Sequence, residues 1–161
     1  MKKFKKLLYT LIALTLVASL FTGCSGESGD TQWFLDKRIS LAEKYGTLPA
    51  EGQVGSLNYS ILEKDSYSCR KSQAGYYVDM LEEPGSPYFI VITLGSKEDE
   101  DVEIVDLGMD GSTLQILIAK KDSSDKSDSK SSPCCVLKLD SMPDDIVIHD
   151  KNGASYKLIE D

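Results

Sequence analysis

The chain has 161 residues, 41% of them hydrophobic, which is room for one domain plus a targeting segment, and its formal net charge is −8. The first 23 residues hold Lys2, Lys3, Lys5 and Lys6 and no acid, so the remainder carries 14 basic against 26 acidic residues, a balance of −12. A domain that acidic is repelled by phosphate backbones, which argues against a nucleic-acid partner, and a two-lobed small-solute receptor needs far more chain.

Met1–Lys6 reads as a basic leader, and Leu7–Phe21 is an apolar run of 15 residues. That run is too short to be a comfortable transmembrane helix and has the proportions of a signal-peptide core. Phe21-Thr22-Gly23-Cys24 follows it directly and resembles a bacterial lipobox, in which signal peptidase II cuts before a lipid-modified Cys. The resemblance implies a lipoprotein signal peptide over residues 1–23 and acyl chains, palmitate among them, on Cys24. Residues 24–29, with Ser25, Gly26, Ser28 and Gly29, form a flexible tether to a single domain over 30–161. The expected location is the outer face of the bacterial cytoplasmic membrane. Lipid does the anchoring there, and no protein segment has to span the bilayer.

Asp30 and Thr31 are suitable N-caps for a helix reaching Tyr45, with Trp33, Phe34, Leu35, Ile39, Leu41, Ala42 and Tyr45 mostly at three- and four-residue spacings and Gly46 at its end. Trp33 is expected to pack on a sheet. Thr47–Ser56, with Pro49, Gly52 and Gly55, reads as a loop. Leu57–Leu62 and Gly75–Leu81 read as strands around a polar loop over Lys64–Ala74, and Glu82–Ser86 as a turn.

The apolar runs Tyr88–Leu94, Val102–Leu107 and Thr113–Ala119 are rich in β-branched residues and are joined by connections too short for a crossover helix. They predict a three-stranded antiparallel meander. Ile90, Ile92, Ile104 and Ile116 are expected in the core. Phe89 and Val91 are apolar too, so the first of these strands should be covered on both faces, by a second sheet and by the helix of Trp33. Val102 and Ile104 alternate with Glu103, but Val105 and Leu107 break the phase, which predicts a bulge near Val105.

Asp122–Ser132 contains no apolar side chain and is expected to be a mobile polar loop. Asp122, Asp125 and Asp128 recur every three residues, but they lack the alternation, the glycine and the distal Glu of a calcium loop. Cys135–Leu139, Asp145–His149 and Tyr156–Ile159 complete the strands, with Asn152-Gly153 as a type I′ hairpin turn between the last two. The fold class is mainly β (α+β): one N-terminal helix, then a small antiparallel β-sandwich or partly open barrel of about eight short strands.

Cys69, Cys134 and Cys135 remain once Cys24 is lipidated. Outside the cytoplasm such thiols are candidates for a structural disulfide. Adjacent cysteines on a strand point to opposite faces, so only one of Cys134 and Cys135 suits Cys69. The catalytic alternative is a thiol-dependent surface enzyme using Cys134 or Cys135 with His149, the only histidine. No C-x-x-C, G-x-S-x-G or H-E-x-x-H motif accompanies them, and no four residues have zinc-ligand spacing. No cofactor is expected.

Phe89-Ile90-Val91-Ile92-Thr93-Leu94-Gly95, Val102-Glu103-Ile104, Leu114-Gln115-Ile116-Leu117-Ile118 and Val136-Leu137-Lys138-Leu139 together resemble the C-terminal domain of PrcB-family proteins. Those are secreted or lipid-anchored accessory subunits of an envelope protease. The resemblance, over residues 88–149, implies a β domain with a non-catalytic role. The expected function is therefore a non-enzymatic module that binds or stabilises another cell-envelope protein, a protease by this resemblance.

Overall fold

The computed structural model describes residues 40–63, 66–95, 100–122 and 132–160. The expected signal peptide over 1–23, Cys24, the expected tether over 24–29, Trp33 and most of the Asp122–Ser132 segment lie outside them. Helix α1 spans Leu41–Tyr45 and is followed by nine strands: β1 Glu51–Val54, β2 Leu57–Ile61, β3 Ala74–Met80, β4 Tyr88–Leu94, β5 Glu100–Asp110, β6 Thr113–Asp122, β7 Cys134–Leu139, β8 Asp145–Asp150 and β9 Ser155–Tyr156. They make two sheets, ordered β1-β2-β7-β4-β3 and β5-β6-β8-β9. The expected β-sandwich is what forms, and neither sheet closes into a barrel.

Alternation builds the interior. Ile90, Ile92, Leu137 and Leu139 from the first sheet meet Ile104, Leu107, Leu114, Ile116, Ile118 and Ile148 from the second in one core. Ile90, Ile92 and Ile116 are fully buried and Ile104 is 7% exposed, as their phase requires. The register shifts between Ile104 and Asp106, which is the bulge expected at Val105. The bulge turns Asp106 inward. Its Oδ1 accepts hydrogen bonds of 2.8 Å from the Leu107 and Ala42 N–H groups, tying the first turn of α1 to β5.

Several expectations require correction. The three central runs do not form a meander. β4 pairs with β3 on one side and β7 on the other, so neither of its edges is left for β5, which pairs with β6 in the other sheet. The sandwich is not wholly antiparallel: the chain leaves β6, contributes β7 to the first sheet and returns as β8 parallel to β6. The helix does not run unbroken from Asp30 to Tyr45, because Ser40 is extended and its Oγ caps α1 by accepting from the Glu43 N–H at 2.9 Å; Gly46, left-handed at φ 80°, ends it as expected. The stretch read as a loop at Thr47–Ser56 contains β1, whose Gly52 lies under the Tyr59 ring, where an added Cβ would come 3.2 Å from the Tyr59 hydroxyl.

The last strand is also shorter than its pattern. The turn closes through Gly153 N to Asp150 O at 2.9 Å, with Lys151 and Asn152 central and Gly153 following at φ 82°, instead of Asn152-Gly153 central. Beyond Tyr156 the chain crosses to the first sheet, where Tyr76 N donates to Lys157 O and Ile159 N donates to Tyr76 O. Gly75, at φ 151°, permits this approach, since a Cβ there would lie 2.5 Å from Lys157 O.

β4 is covered on both faces, as its composition demands, but the described part of the expected helix does not supply the outer cover. Leu41 of α1 packs into the main core and the helix start is tied to β5, while Trp33 lies outside the described residues. The outer face of β4 carries Phe89 and Val91, which pack with Tyr77 of β3, Val136 of β7, and Leu62, Tyr67, Cys69 and Ile159. Among the described residues the cover on that face is the strap 66–73 and the C-terminal crossing.

Candidate functional site

The strap is fastened by polar contacts along β3. The Tyr67 hydroxyl donates to Asp79 Oδ2, and Arg70 Nη2 lies 2.9 Å from the same oxygen. The Arg70 N–H donates to the Tyr77 hydroxyl at 3.2 Å, and the Tyr67 and Phe89 rings stack at 6.4 Å between centroids. Burial, with the Asp79 hydrogen bond added, pushes the Tyr67 phenol well above its usual range.

Two of the three cysteines among the described residues meet here, Cys69 on the strap and Cys134 beneath it. Cys134 faces outward from β7 and packs in the same cluster as Cys69. The Cys69 thiol also donates to Lys71 O at 3.3 Å. Burial first, and the neighbouring Cys69 second, push the Cys134 thiol up to about 11. Cys135 points the other way into the main core opposite Ile92, and its thiol is raised further by burial. A thiolate is disfavoured at both positions, the reverse of what nucleophilic catalysis needs.

His149 is not brought to these thiols. It lies on β8 of the other sheet, where Ile146, Ile148 and Asp150 point inward and His149 points outward. Its Nδ1 is 3.3 Å from Ser155 Oγ and 3.5 Å from Gly153 O. Cys134 and His149 thus face out from opposite sides of the sandwich, and sheet β5-β6-β8-β9 stands between Cys135 and the imidazole. Among the described residues no three His, Cys, Asp or Glu side chains are grouped to hold a metal ion, and no helix is long and apolar enough to cross a membrane.

Asp150 is the most deeply buried carboxylate among the described residues. Its Oδ1 accepts from the Asn152 and Ala154 N–H groups at 2.9 Å each, and its Oδ2 lies 3.1 Å from Lys120 Nζ. Burial raises its pKa, but these two N–H groups and Lys120 more than offset that, so the carboxyl sits below its ordinary range. Every contact belongs to the β8–β9 turn or its neighbour β6, which marks a turn lock.

The surface that stands apart is the end of the first sheet where β3 turns into β4. Met80 and Leu81 are 59% and 60% exposed, and Met142 in the β7–β8 connection is 37% exposed. Met80 and Leu81 line a shallow depression of about 390 Å³ between the β3–β4 turn and Asp140-Ser141. Glu82 and Glu83 are exposed on the turn, and Asp140 is held below the usual carboxylate range by hydrogen bonds from Asn58.

Beside this patch β3 is an outermost strand with half of its edge open. Both backbone groups of Tyr76 point away from β4, toward Lys157 and Ile159. By the two-residue period, those of Val78 and Met80 point the same way. Among the described residues no backbone partner continues the pairing there. The sequence reading placed a strand end at Met80-Leu81 but not a binding surface. The available signal was a pair of apolar residues running directly into Glu82-Glu83-Pro84-Gly85. Compared with known proteins, the chain matches no family model, no curated protein and no solved structure.

Proposed function

We propose that this chain is a lipid-anchored module on the outer face of the bacterial cytoplasmic membrane that binds another cell-envelope protein without catalysing a reaction. It does so by accepting an extended segment of that protein along the open half of β3. The observation that carries this reading is the outward-facing backbone at Val78 and Met80, which has no backbone partner among the described residues, next to exposed Met80 and Leu81. An added strand would satisfy those N–H and C=O groups and cover the apolar side chains.

The chemistry of the occupant follows from the rim. Glu82 and Glu83 stand at the end of the groove, on a domain with 14 basic and 26 acidic residues beyond residue 23. The fitting segment alternates apolar and basic residues, apolar against Met80, Leu81 and Met142, basic toward the acids. Lipidation at Cys24 would hold the module beside partners at the same membrane, and the PrcB resemblance makes an envelope protease the class to examine first.

A photo-crosslinking residue at Leu81 tests the surface in intact cells. The expected result is one discrete adduct, absent when the same residue replaces exposed Tyr45 and competed by a peptide of alternating Val and Lys. Met80→Pro removes the outward N–H and should abolish the adduct while the domain still melts cooperatively. An adduct that persists in that variant, or none at Leu81, would overturn edge pairing. Separately, a signal-processed Cys24→Ala protein should leave the membrane fraction; one that stays would overturn the anchor.

A further inference from the structure

The outer face of the first sheet carries two free thiols packed in its apolar cluster. Cys69 sits on the strap and Cys134 at the start of β7; both pack against Tyr77, Val91 and Val136, and Cys69 lies near enough to help raise the Cys134 thiol. Their surroundings fix them from several sides. The strap is held to β3 at Asp79 and Tyr77, and Cys134 is held in register opposite Thr93 of β4. Cys135, one residue on, is turned into the main core, on the far side of the sheet from Cys69. The sequence pattern left either neighbour open as a partner; the packing selects one.

We propose that Cys69 and Cys134 are a disulfide-forming pair, oxidised by thiol–disulfide exchange with a protein or small-molecule disulfide, and that the bond staples the strap across the outer face of the first sheet. The Cys69 thiol loses its proton and its sulfur attacks the donor disulfide, releasing one donor thiol and leaving a mixed disulfide on Cys69. Cys134 then loses its proton and attacks the Cys69 sulfur, releasing the second donor thiol. Two S–H bonds are lost, one S–S bond is formed, and two electrons pass to the donor, which leaves as two thiols. That this occurs in the cell rests on the extracytoplasmic location proposed above, where such donors keep proteins oxidised.

The bond links positions 65 residues apart, from 69 to 134, across the strap, β3, β4 and the second sheet's hairpin. Closing so long a loop restricts the unfolded chain strongly. It would also immobilise the strap beneath β3, the strand whose open edge is the proposed docking line. Cys135 keeps its thiol, buried, as a core side chain.

The test uses the lipid-anchored protein purified under reducing conditions and then exposed to oxidised glutathione. Proteolysis and mass spectrometry should find one linked peptide pair, Cys69 to Cys134, with Cys135 alkylated only after unfolding. Oxidation should raise Tm by about 10–20 °C, in Cys135→Ala as in the unaltered chain, and by nothing in Cys69→Ala or Cys134→Ala. A Cys69–Cys135 or Cys134–Cys135 link, thiols that stay reduced, or a bond that forms without raising Tm would each overturn the proposal. Alkylation of protein taken directly from cells separates the two readings: a bond that forms in vitro but is absent in vivo contradicts the location, not the pair.

Discussion

The two sheets of the sandwich bury different numbers of faces. In β4, Ile90 and Ile92 point into the shared core and Val91 points out beneath the strap, yet all three are fully buried. In β8 the inward Ile146 and Ile148 are buried, while the outward Val147 and His149 are only half-buried. A strand apolar on both sides needs two covers. The chain supplies the second with the strap 66–73 and the C-terminal crossing rather than with another sheet. The thiol pair and the candidate docking edge both belong to this doubly covered sheet, whereas the two buried acids of the second sheet, Asp106 and Asp150, fasten the start of α1 and the β8–β9 turn.

That contrast can be broken by mutation. The largest effect is expected at Asp150, where Ala would remove the acceptor for two backbone N–H groups and leave Lys120 unpaired, at a cost of about 3–5 kcal/mol by denaturant melts. The pH dependence has a definite sign. Asp150 is depressed in the folded state, so its contribution is present above the ordinary carboxylate pKa and is lost as pH falls through the folded value. Lys120 is raised, first by its hydrogen bond to Asp150, so its share is present below the ordinary lysine pKa and lost as pH rises through the folded one. Asp150→Asn should therefore flatten the acid limb of the stability profile; an unchanged limb would show that the pair is not coupled to folding.

Next come the inward positions. Ile92→Ala and Ile148→Ala should each cost about 2–5 kcal/mol, because both leave cavities in the same core. The outward positions sharpen the comparison: Val91→Ala should cost about 2 kcal/mol and Val147→Ala less than about half of that. Equal losses at Val91 and Val147 would mean that the strap is not a true second cover. Smallest of all, Glu103→Ala should stay within about half a kcal/mol. Its ion pair with Lys121 joins side chains 40% and 61% exposed, where solvent screens the attraction.

How much of this was legible in the sequence follows from what alternation encodes. It reports which residues face inward, so Ile90, Ile92, Ile104 and Ile116 could be placed in the core and the bulge located from the broken phase at Val105. It does not report which strand lies alongside. A connection as short as that between Leu94 and Glu100 is compatible with a hairpin and also with a step from one sheet to the other. β4 takes the second route because β3 and β7 occupy both of its edges. β1 was not visible because Glu51-Gly52-Gln53-Val54 offers one apolar side chain and a glycine that Tyr59 requires. The strap was read correctly as a polar loop, but Tyr67 and Cys69 become cover only once β4 is known to be apolar on its outer side. Met80 and Leu81 extend an apolar strand, and sequence alone does not distinguish an exposed strand end from a buried one.

The central claim is that β3 presents an open edge at Val78 and Met80, and amide hydrogen exchange on the isolated full-length protein tests it most directly. The account predicts slow exchange at Tyr76, whose N–H is bonded to Lys157 O at 3.0 Å, and fast exchange at Val78 and Met80, slowing when the alternating Val and Lys peptide is added. Protection at Val78 and Met80 equal to that at Tyr76 before any peptide is present would contradict it.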